Sequence, residues 1–113
     1  MVKLENFIDQ LLEWIDSNIE KPIKIEDVAR RSGYSKWHLQ RVFSQVMNMN
    51  LAHYIREKKL EMAARDLIQS NETLLSISHK YGFDSQQSFT RCFAKKYYLP
   101  PLRFRRANGE VNK

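Results

Sequence analysis

The sequence predicts an all-α fold of about seven helices, and two observations support this prediction. Apolar residues recur every three or four positions along most of the 113-residue chain, which is the period of an amphipathic helix. The chain has only three glycines and three prolines, too few for the many turns of an all-β fold. With 42% apolar and 12% aromatic residues, it can pack one small domain or two very small lobes.

An internal repeat divides the helices into two sets. The stretch GYSKWHLQRVF (33–43) is matched by GFDSQQSFTRCF (82–93), with the two glycines 49 positions apart. After one inserted residue the offset is 50, and the matched pairs include Ser35/Ser85, Arg41/Arg91, Phe43/Phe93, Tyr54/Phe104 and Arg56/Arg106. Each copy has a short helix, a glycine turn and a second helix, the order of a helix-turn-helix unit. The repeat therefore predicts two helix-turn-helix subdomains joined by a long central helix.

The apolar period also sets approximate helix boundaries. The predicted helices cover residues 4–19, 25–32, 36–47, 51–69, 74–80, 85 or 86 to 96, and a last short helix from 100 onwards. Pro22 is expected to end the first of them. We assign residues 1–49 to an N-terminal lobe, 50–70 to the connecting helix, 71–107 to a C-terminal lobe and 108–113 to a flexible tail.

Glycine and small polar residues mark the predicted turns. Gly33 lies where a left-handed residue commonly ends a helix. Ser35 and Asn50 are suitable N-caps for the helices that follow them. For the sixth helix both Asp84 and Ser85 are suitable, and the sequence alone does not choose between them.

The charge is unevenly distributed. The whole chain carries a formal charge of +6, but residues 1–20 hold one base and five acids. The remaining residues hold 18 bases and eight acids, a net charge of +10. A basic body of this size is expected to attract a polyanion, although charge alone also suits a merely soluble basic protein.

The outward faces of the two second helices carry side chains that suit the edges of DNA bases. At about 100° per residue, these faces lie opposite the predicted core faces. They hold Trp37, Gln40 and Arg41 in the first copy and Gln87, Thr90 and Arg91 in the second. Arginine donates two hydrogen bonds to guanine, glutamine pairs with adenine, and threonine contacts the thymine methyl. A solvated polar face is the alternative, and the repeat and the basic charge weigh against it. A tryptophan opposite the core face is unusual, because its large surface is normally buried.

Phosphate contacts are predicted from two features. Residues at the start of a helix present backbone amides that bind phosphate, and arginines after each copy lie where a DNA backbone contact is expected. The candidates are Ser35, Lys36, Arg56, Ser85, Arg103, Arg105 and Arg106.

The two repeated motifs closely resemble the AraC/XylS family of bacterial transcription regulators, and within it the small MarA, SoxS and Rob group. The resemblance covers about residues 3–106. It implies a monomer bound to one asymmetric DNA site, with Trp37, Gln40 and Arg41 in one major-groove segment. The positions that approach the next segment match Gln86, Gln87, Ser88, Thr90 and Arg91. It also implies activation, together with RNA polymerase, of genes for antibiotic, oxidant and solvent tolerance.

The chain departs from the family pattern at two positions. Lys24 precedes the second helix, where related chains often have a capping residue. Ser88 lies on the second reading helix where threonine also occurs, which leaves base preference there open. Many larger members carry a ligand-sensing domain for which this chain has no room. We therefore expect control through the amount of protein and no small-molecule effector.

Other functions fit the sequence less well. The three histidines share no ligand spacing, and Cys92 is predicted to point inward, so neither a zinc site nor a redox thiol is favoured. No converging acid, base or nucleophile indicates an enzyme, and no cofactor is expected. The main alternative is a non-specific architectural DNA-binding protein, and a second is a protein-interaction domain that uses the acidic first helix.

The predicted partners are double-stranded promoter DNA and RNA polymerase. No apolar run approaches the roughly 18 residues of a membrane span, so no membrane association is expected. One cysteine fits a reducing compartment. The expected location is the bacterial cytoplasm, at the nucleoid.

Overall fold

The computed structural model describes residues 2–21 and 23–111, and within these ranges it confirms the all-α prediction. They form seven helices and no β-strand. The helices are α1 (Val2–Ser17), α2 (Ile25–Ser32), α3 (Lys36–Met47), α4 (Leu51–Gln69), α5 (Leu74–Lys80), α6 (Gln86–Tyr97) and α7 (Pro101–Val111). Contacts divide the chain into an N-terminal unit (Met1–Lys58) and a C-terminal unit (Lys59–Lys113).

Helices α2 to α5 begin and end at the predicted residues, whereas the first and last helices differ from the prediction. Helix α1 ends at Ser17, and the side-chain amide of the next residue, Asn18, donates to the Trp14 carbonyl (2.8 Å). Pro22, predicted to end α1, lies outside the described residues. Helix α7 continues to Val111, into the segment expected to be a tail, whose last two residues also lie outside the described ranges.

Most of the internal helices follow a residue whose side chain caps the first turn. The Ser35 hydroxyl accepts from the His38 amide (3.1 Å), and the Asn50 side chain accepts from the His53 amide (2.8 Å), as predicted. Helix α6 is capped by Ser85, whose hydroxyl accepts from the Ser88 amide (3.0 Å), so Ser85 rather than Asp84 fills this role. Each cap satisfies an amide that has no partner within its helix.

The core of the N-terminal unit is mostly aliphatic. Helix α3 packs against both α1 and α2. The buried side chains are Ile8, Leu11, Ile15, Ile19, Val28, Ala29, Leu39, Val42, Phe43, Leu51 and Ile55. Phe43 makes an edge contact with Tyr54, with ring centroids 5.7 Å apart. This packing holds α3 so that one face is buried and the opposite face is presented to solvent.

The core of the C-terminal unit is richer in aromatic rings. Phe93 lies at its centre and contacts Phe89 at 5.7 Å, Tyr97 at 4.7 Å and Phe104 at 5.1 Å between ring centroids. Around them the buried residues are Leu60, Ala63, Ala64, Leu67, Ile77 and Tyr81. The Phe93–Phe104 edge contact corresponds, at an offset of 50, to the Phe43–Tyr54 contact, so the repeat extends to a matched ring pair.

Polar contacts also hold the C-terminal unit together. The carboxylate of Asp66 accepts from the Tyr81 hydroxyl (2.6 Å) and from the Lys80 ammonium (3.0 Å). The Arg105 guanidinium donates to the carbonyls of Leu67 (2.7 Å) and Glu72 (2.6 Å). Leu67 is among the last residues of α4, whose carbonyls have no partner within the helix. Arg105 therefore joins α7 to the end of α4.

Candidate nucleic-acid interface

Each unit contains the predicted short helix, glycine turn and second helix. Gly33 ends α2 at φ 81°, and Gly82 follows α5 at φ 75°, both in the left-handed region that glycine adopts without strain. In the C-terminal turn the Lys59 ammonium would lie 3.5 Å from a Cβ added at Gly82. Burial lowers the pKa of Lys59. These turns place α3 and α6 as the second helices of the two units.

Trp37 and Arg41 form a pair on the outer face of α3. Trp37 is 67% exposed, which confirms that it points away from the core. The Arg41 guanidinium lies over its ring, 5.2 Å from the centroid. A cation–π contact at an exposed site contributes roughly 0.5–1 kcal/mol, so the tryptophan restrains the arginine before any ligand arrives. Gln40, the third predicted reading residue of this helix, is half-buried beside them.

The start of α3 brings together the first two phosphate candidates. Ser35 uses its hydroxyl as the helix cap, and it is exposed. The Lys36 ammonium forms an exposed ion pair with Glu26 at 3.1 Å. The pKa of Glu26 is lowered, first by a hydrogen bond from the backbone amide of Glu26 and then by the hydrogen bond and positive charge of Lys36. Because an exposed pair contributes little, Lys36 can exchange Glu26 for a phosphate at small cost.

Helix α6 presents a second set of predicted reading residues. Gln86, Gln87, Thr90 and Arg91 line a shallow depression of about 470 Å³. Gln86, Gln87 and Arg91 are exposed, whereas Thr90 is half-buried. Ser88 is half-buried too, and its amide is engaged by the Ser85 cap. The four lining side chains carry both donors and acceptors, as base-edge recognition requires.

The arginines predicted to bind phosphate fall into two groups. Arg56, Arg103 and Arg106 are exposed and can reach an external anion. Arg105 is half-buried, and its guanidinium is committed to the Leu67 and Glu72 carbonyls. Its structural role was not foreseen, because helical periodicity does not show that a side chain reaches a residue 38 positions earlier.

Two residues that shape the ends of the second helices were not predicted from the sequence. Asn48 ends α3 at φ 59° and Tyr98 ends α6 at φ 63°, both left-handed although neither is glycine. They lie 50 positions apart, the same offset as Ser35 and Ser85. The repeat offset was therefore the signal that could have found them.

The part of the chain that is described offers little for another kind of site. No group of three or more histidine, cysteine, aspartate or glutamate side chains is arranged to hold a metal ion there. Cys92 is half-buried and packs against the C-terminal core. No described helix combines the length and the apolar character needed to cross a membrane.

Two helix-turn-helix units with exposed polar faces on their second helices define a DNA-binding protein of the helix-turn-helix class. The helix-turn-helix domain family matches residues 28–107. The chain is 45% identical over 101 residues to the multiple antibiotic resistance protein MarA of Escherichia coli K12, covering 89% of this chain and 80% of MarA. It is 40% identical over 109 residues to the probable transcription factor PqrA of Proteus vulgaris, covering 95% and 88%.

Solved structures agree on the fold. An AraC-type transcriptional regulator from Chromobacterium violaceum superposes with a TM-score of 0.86 at 23% identity, covering 97% of this chain and 98% of that one. The DNA-binding domain of AdpA, solved with a target DNA, gives a TM-score of 0.82 at 18% identity, covering 88% and 89%.

The chain belongs to the AraC/XylS family of transcription regulators, in its MarA-like group. It is a DNA-binding regulator and not an enzyme.

Proposed function

We propose that the protein is a sequence-specific activator that binds one asymmetric DNA site as a monomer. The observation that carries the proposal is the difference between the two exposed faces. Helix α3 presents the Trp37–Arg41 pair, and α6 presents Gln87 and Arg91. Because two unlike faces on one chain read unlike sequences, the two half-sites differ and need no second copy.

The proposed complex places α3 and α6 in successive major-groove segments, about 34 Å apart on one face of the DNA. Base edges contact Trp37, Gln40 and Arg41 in one segment and Gln86, Gln87, Ser88, Thr90 and Arg91 in the next. Phosphates contact Ser35, Lys36, Arg56, Ser85, Arg103 and Arg106, with a smaller part for Arg105 because of its internal hydrogen bonds. Where the DNA bends to meet both helices, the bend costs on the order of a few kcal/mol.

The proposed targets are promoters of genes for antibiotic and oxidative stress tolerance. The proposed location of the protein is the bacterial cytoplasm. The name of MarA, a relative at 45% identity, supports the antibiotic part. RNA polymerase is the proposed protein partner. Its contact is assigned to α1, where Asp9, Glu13 and Asp16 are exposed beside a groove lined by Trp14 and Arg31. No small-molecule effector is proposed, and a compound that shifts the DNA affinity of the purified protein contradicts this part.

Selection of bound sequences from random DNA, followed by footprinting, tests the proposal. The expected result is an asymmetric site protected over about two helical turns by a monomer. Equal affinity for selected and random duplexes favours the non-specific architectural alternative. A footprint of one half-site, or binding that requires a dimer, contradicts the monomer with two reading helices.

Arg41→Ala separates base reading from phosphate contact. We expect it to weaken binding to the selected site by about 1–3 kcal/mol and to relax base preference there. Arg56→Ala is the matched control, because it is expected to weaken selected and random duplexes alike and to reduce the salt slope by about one. Equal losses for Arg41→Ala on both duplexes show that Arg41 binds phosphate instead.

A further inference from the structure

Tyr98 is an exposed aromatic residue in a backbone conformation that suits it poorly. Its side chain is 88% exposed, the most exposed of the large apolar side chains in the described ranges. Its backbone is left-handed, with φ 63° and ψ 17°. Residues with a Cβ are strained in this region, and an exposed ring gains nothing from burial. Within those ranges Tyr98 has no side-chain hydrogen bond and no ring contact.

The turn itself does not require a tyrosine. At the matching position of the N-terminal unit, Asn48 adopts φ 59° and ψ 30°. The backbone amide of Asn48 donates to the Ser44 carbonyl at 2.9 Å, and the backbone amide of Tyr98 likewise donates to the Ala94 carbonyl at 2.8 Å. Asparagine tolerates the left-handed region better than other residues with a side chain. The conformation of this turn therefore does not account for the choice of tyrosine.

Tyr98 continues the exposed face of α6. Gln87, Arg91 and Lys95 lie four residues apart, and Tyr98 follows three residues later. At about 100° per residue, the α-carbons of Gln87 and of Tyr98, the residue that ends α6, differ by only about 20° around the helix axis. All four side chains are exposed. Base-reading candidates occupy the first half of this stripe, while Lys95 and Tyr98 occupy the second half.

The length of the stripe is similar to the width of a DNA major groove. Eleven residues at about 1.5 Å each separate Gln87 and Tyr98 by roughly 16 Å along the axis. The major groove is about 12 Å wide. When Gln87 lies at the base edges and α6 runs across the groove, the far end of α6 lies at the sugar–phosphate wall of the groove.

The charge of the surrounding sequence favours the same ligand. Residues 85–109 contain six arginines and lysines and no aspartate or glutamate. Lys95 and Arg103, on either side of Tyr98, are both exposed. Such a segment attracts a phosphate backbone rather than a basic or apolar partner surface.

We propose that the Tyr98 hydroxyl donates a hydrogen bond to a DNA phosphate at the edge of the groove that α6 occupies, and so fixes the register of this helix. Tyrosine is among the side chains that position proteins on DNA through phosphate oxygens. This inference rests on the proposed DNA-binding function. It adds a positioning residue that lies outside the two repeated motifs.

Three variants test the contact by DNA affinity and thermal unfolding. Tyr98→Phe removes only the hydroxyl, and we expect about tenfold weaker binding to selected and random duplexes alike. Tyr98→Asn loses the same affinity while its Tm rises by several degrees, because asparagine suits the turn. Asn48→Gly is the matched control: it relaxes the corresponding turn of the N-terminal unit and leaves DNA affinity unchanged.

The salt dependence and a phosphate map sharpen the test. Tyrosine is uncharged, so Tyr98→Phe leaves the salt slope as in the wild type, whereas Lys95→Ala lowers it by about one. Ethylation of one phosphate beside the second half-site interferes with wild-type binding but not with Tyr98→Phe binding.

The outcomes distinguish this inference from the function on which it rests. Wild-type protein that does not prefer the selected duplex refutes the proposed function. Wild-type preference together with full affinity of Tyr98→Phe refutes only the tyrosine contact. A loss confined to the selected sequence indicates base reading, and lost activation with intact DNA binding indicates a protein partner; both overturn the phosphate contact.

Discussion

Helix α2 begins after Lys24, whereas the equivalent helix of the C-terminal unit, α5, begins after Thr73, which lies 49 positions later. Lys24 makes no side-chain cap, but the Thr73 hydroxyl accepts from the Ser76 amide at 3.0 Å. The interior of the C-terminal unit is also held by stronger contacts than that of the N-terminal unit. The C-terminal unit has a cluster of rings around Phe93 and a hydrogen-bonded carboxylate at Asp66.

The N-terminal unit has weaker equivalents of these contacts. Among the described residues, Phe43 has one ring contact, with Tyr54. The Tyr54 hydroxyl donates to Asp16 at 3.3 Å at an exposed site. The ion pair of Lys36 with Glu26 is exposed as well. A few shared positions therefore define the backbone of both copies, while the energy that stabilises each copy can differ. We expect the C-terminal unit to resist local unfolding better than the N-terminal unit.

Truncating the central phenylalanine of each unit is expected to have the largest effect. Phe43 and Phe93 are both 0% exposed, and replacing either by alanine leaves a cavity that costs about 3–5 kcal/mol. Phe93→Ala should lie at the upper end, because three ring partners lose contact with it. Urea unfolding measures both losses. A larger loss for Phe43→Ala contradicts the order of the two units.

Removing a tyrosine hydroxyl from each unit gives the next largest difference. Tyr81→Phe deletes a 2.6 Å hydrogen bond to the Asp66 carboxylate, which is worth about 1.5–3 kcal/mol. Tyr54→Phe deletes the longer, exposed bond to Asp16, and its effect should be below about 0.5 kcal/mol. Hydrogen exchange of the amides in each unit measures the two effects separately. Similar losses for both variants show that the Asp66 network does not distinguish the units.

Exchanging the residues that precede α2 and α5 should produce the smallest changes, with opposite signs. Lys24→Thr supplies the missing cap, and we expect it to stabilise the protein by about 1 kcal/mol. Thr73→Lys removes a cap and places a positive charge at the positive end of a helix, so it should destabilise by about 1 kcal/mol. Thermal unfolding of the two variants and of the double exchange checks the signs. Loss of stability in Lys24→Thr shows that the uncapped start is not a weakness of α2.

The sequence predicted the features that depend on local backbone chemistry. The left-handed turn at Gly33 and the Ser35 cap were confirmed, because glycine and serine favour these conformations whatever surrounds them. The exposure of Trp37 was also confirmed, since the helical period alone decides which face of α3 is outward. The roles assigned to the reading and phosphate-binding residues stay predictions, because DNA contacts define them.

Features that depend on tertiary contacts were not predicted. The choice of Ser85 over Asp84 required the register of α6 against its core, and two adjacent capping residues look alike in a sequence. The hydrogen bonds of Arg105 join residues more than 30 positions apart. Tyr98 was not predicted for a different reason. Its left-handed backbone is a local feature, but propensity argues against an aromatic residue in that conformation.

The Arg105 contacts have a consequence for the order of events during protein synthesis. Leu67, whose carbonyl accepts the hydrogen bond, is synthesised 38 residues before Arg105, which donates it. Until Arg105 is synthesised, that carbonyl lacks this partner, while every residue of the N-terminal unit has already been made. The first helix-turn-helix unit therefore has time to form by itself, and the nascent chain closes the second unit last.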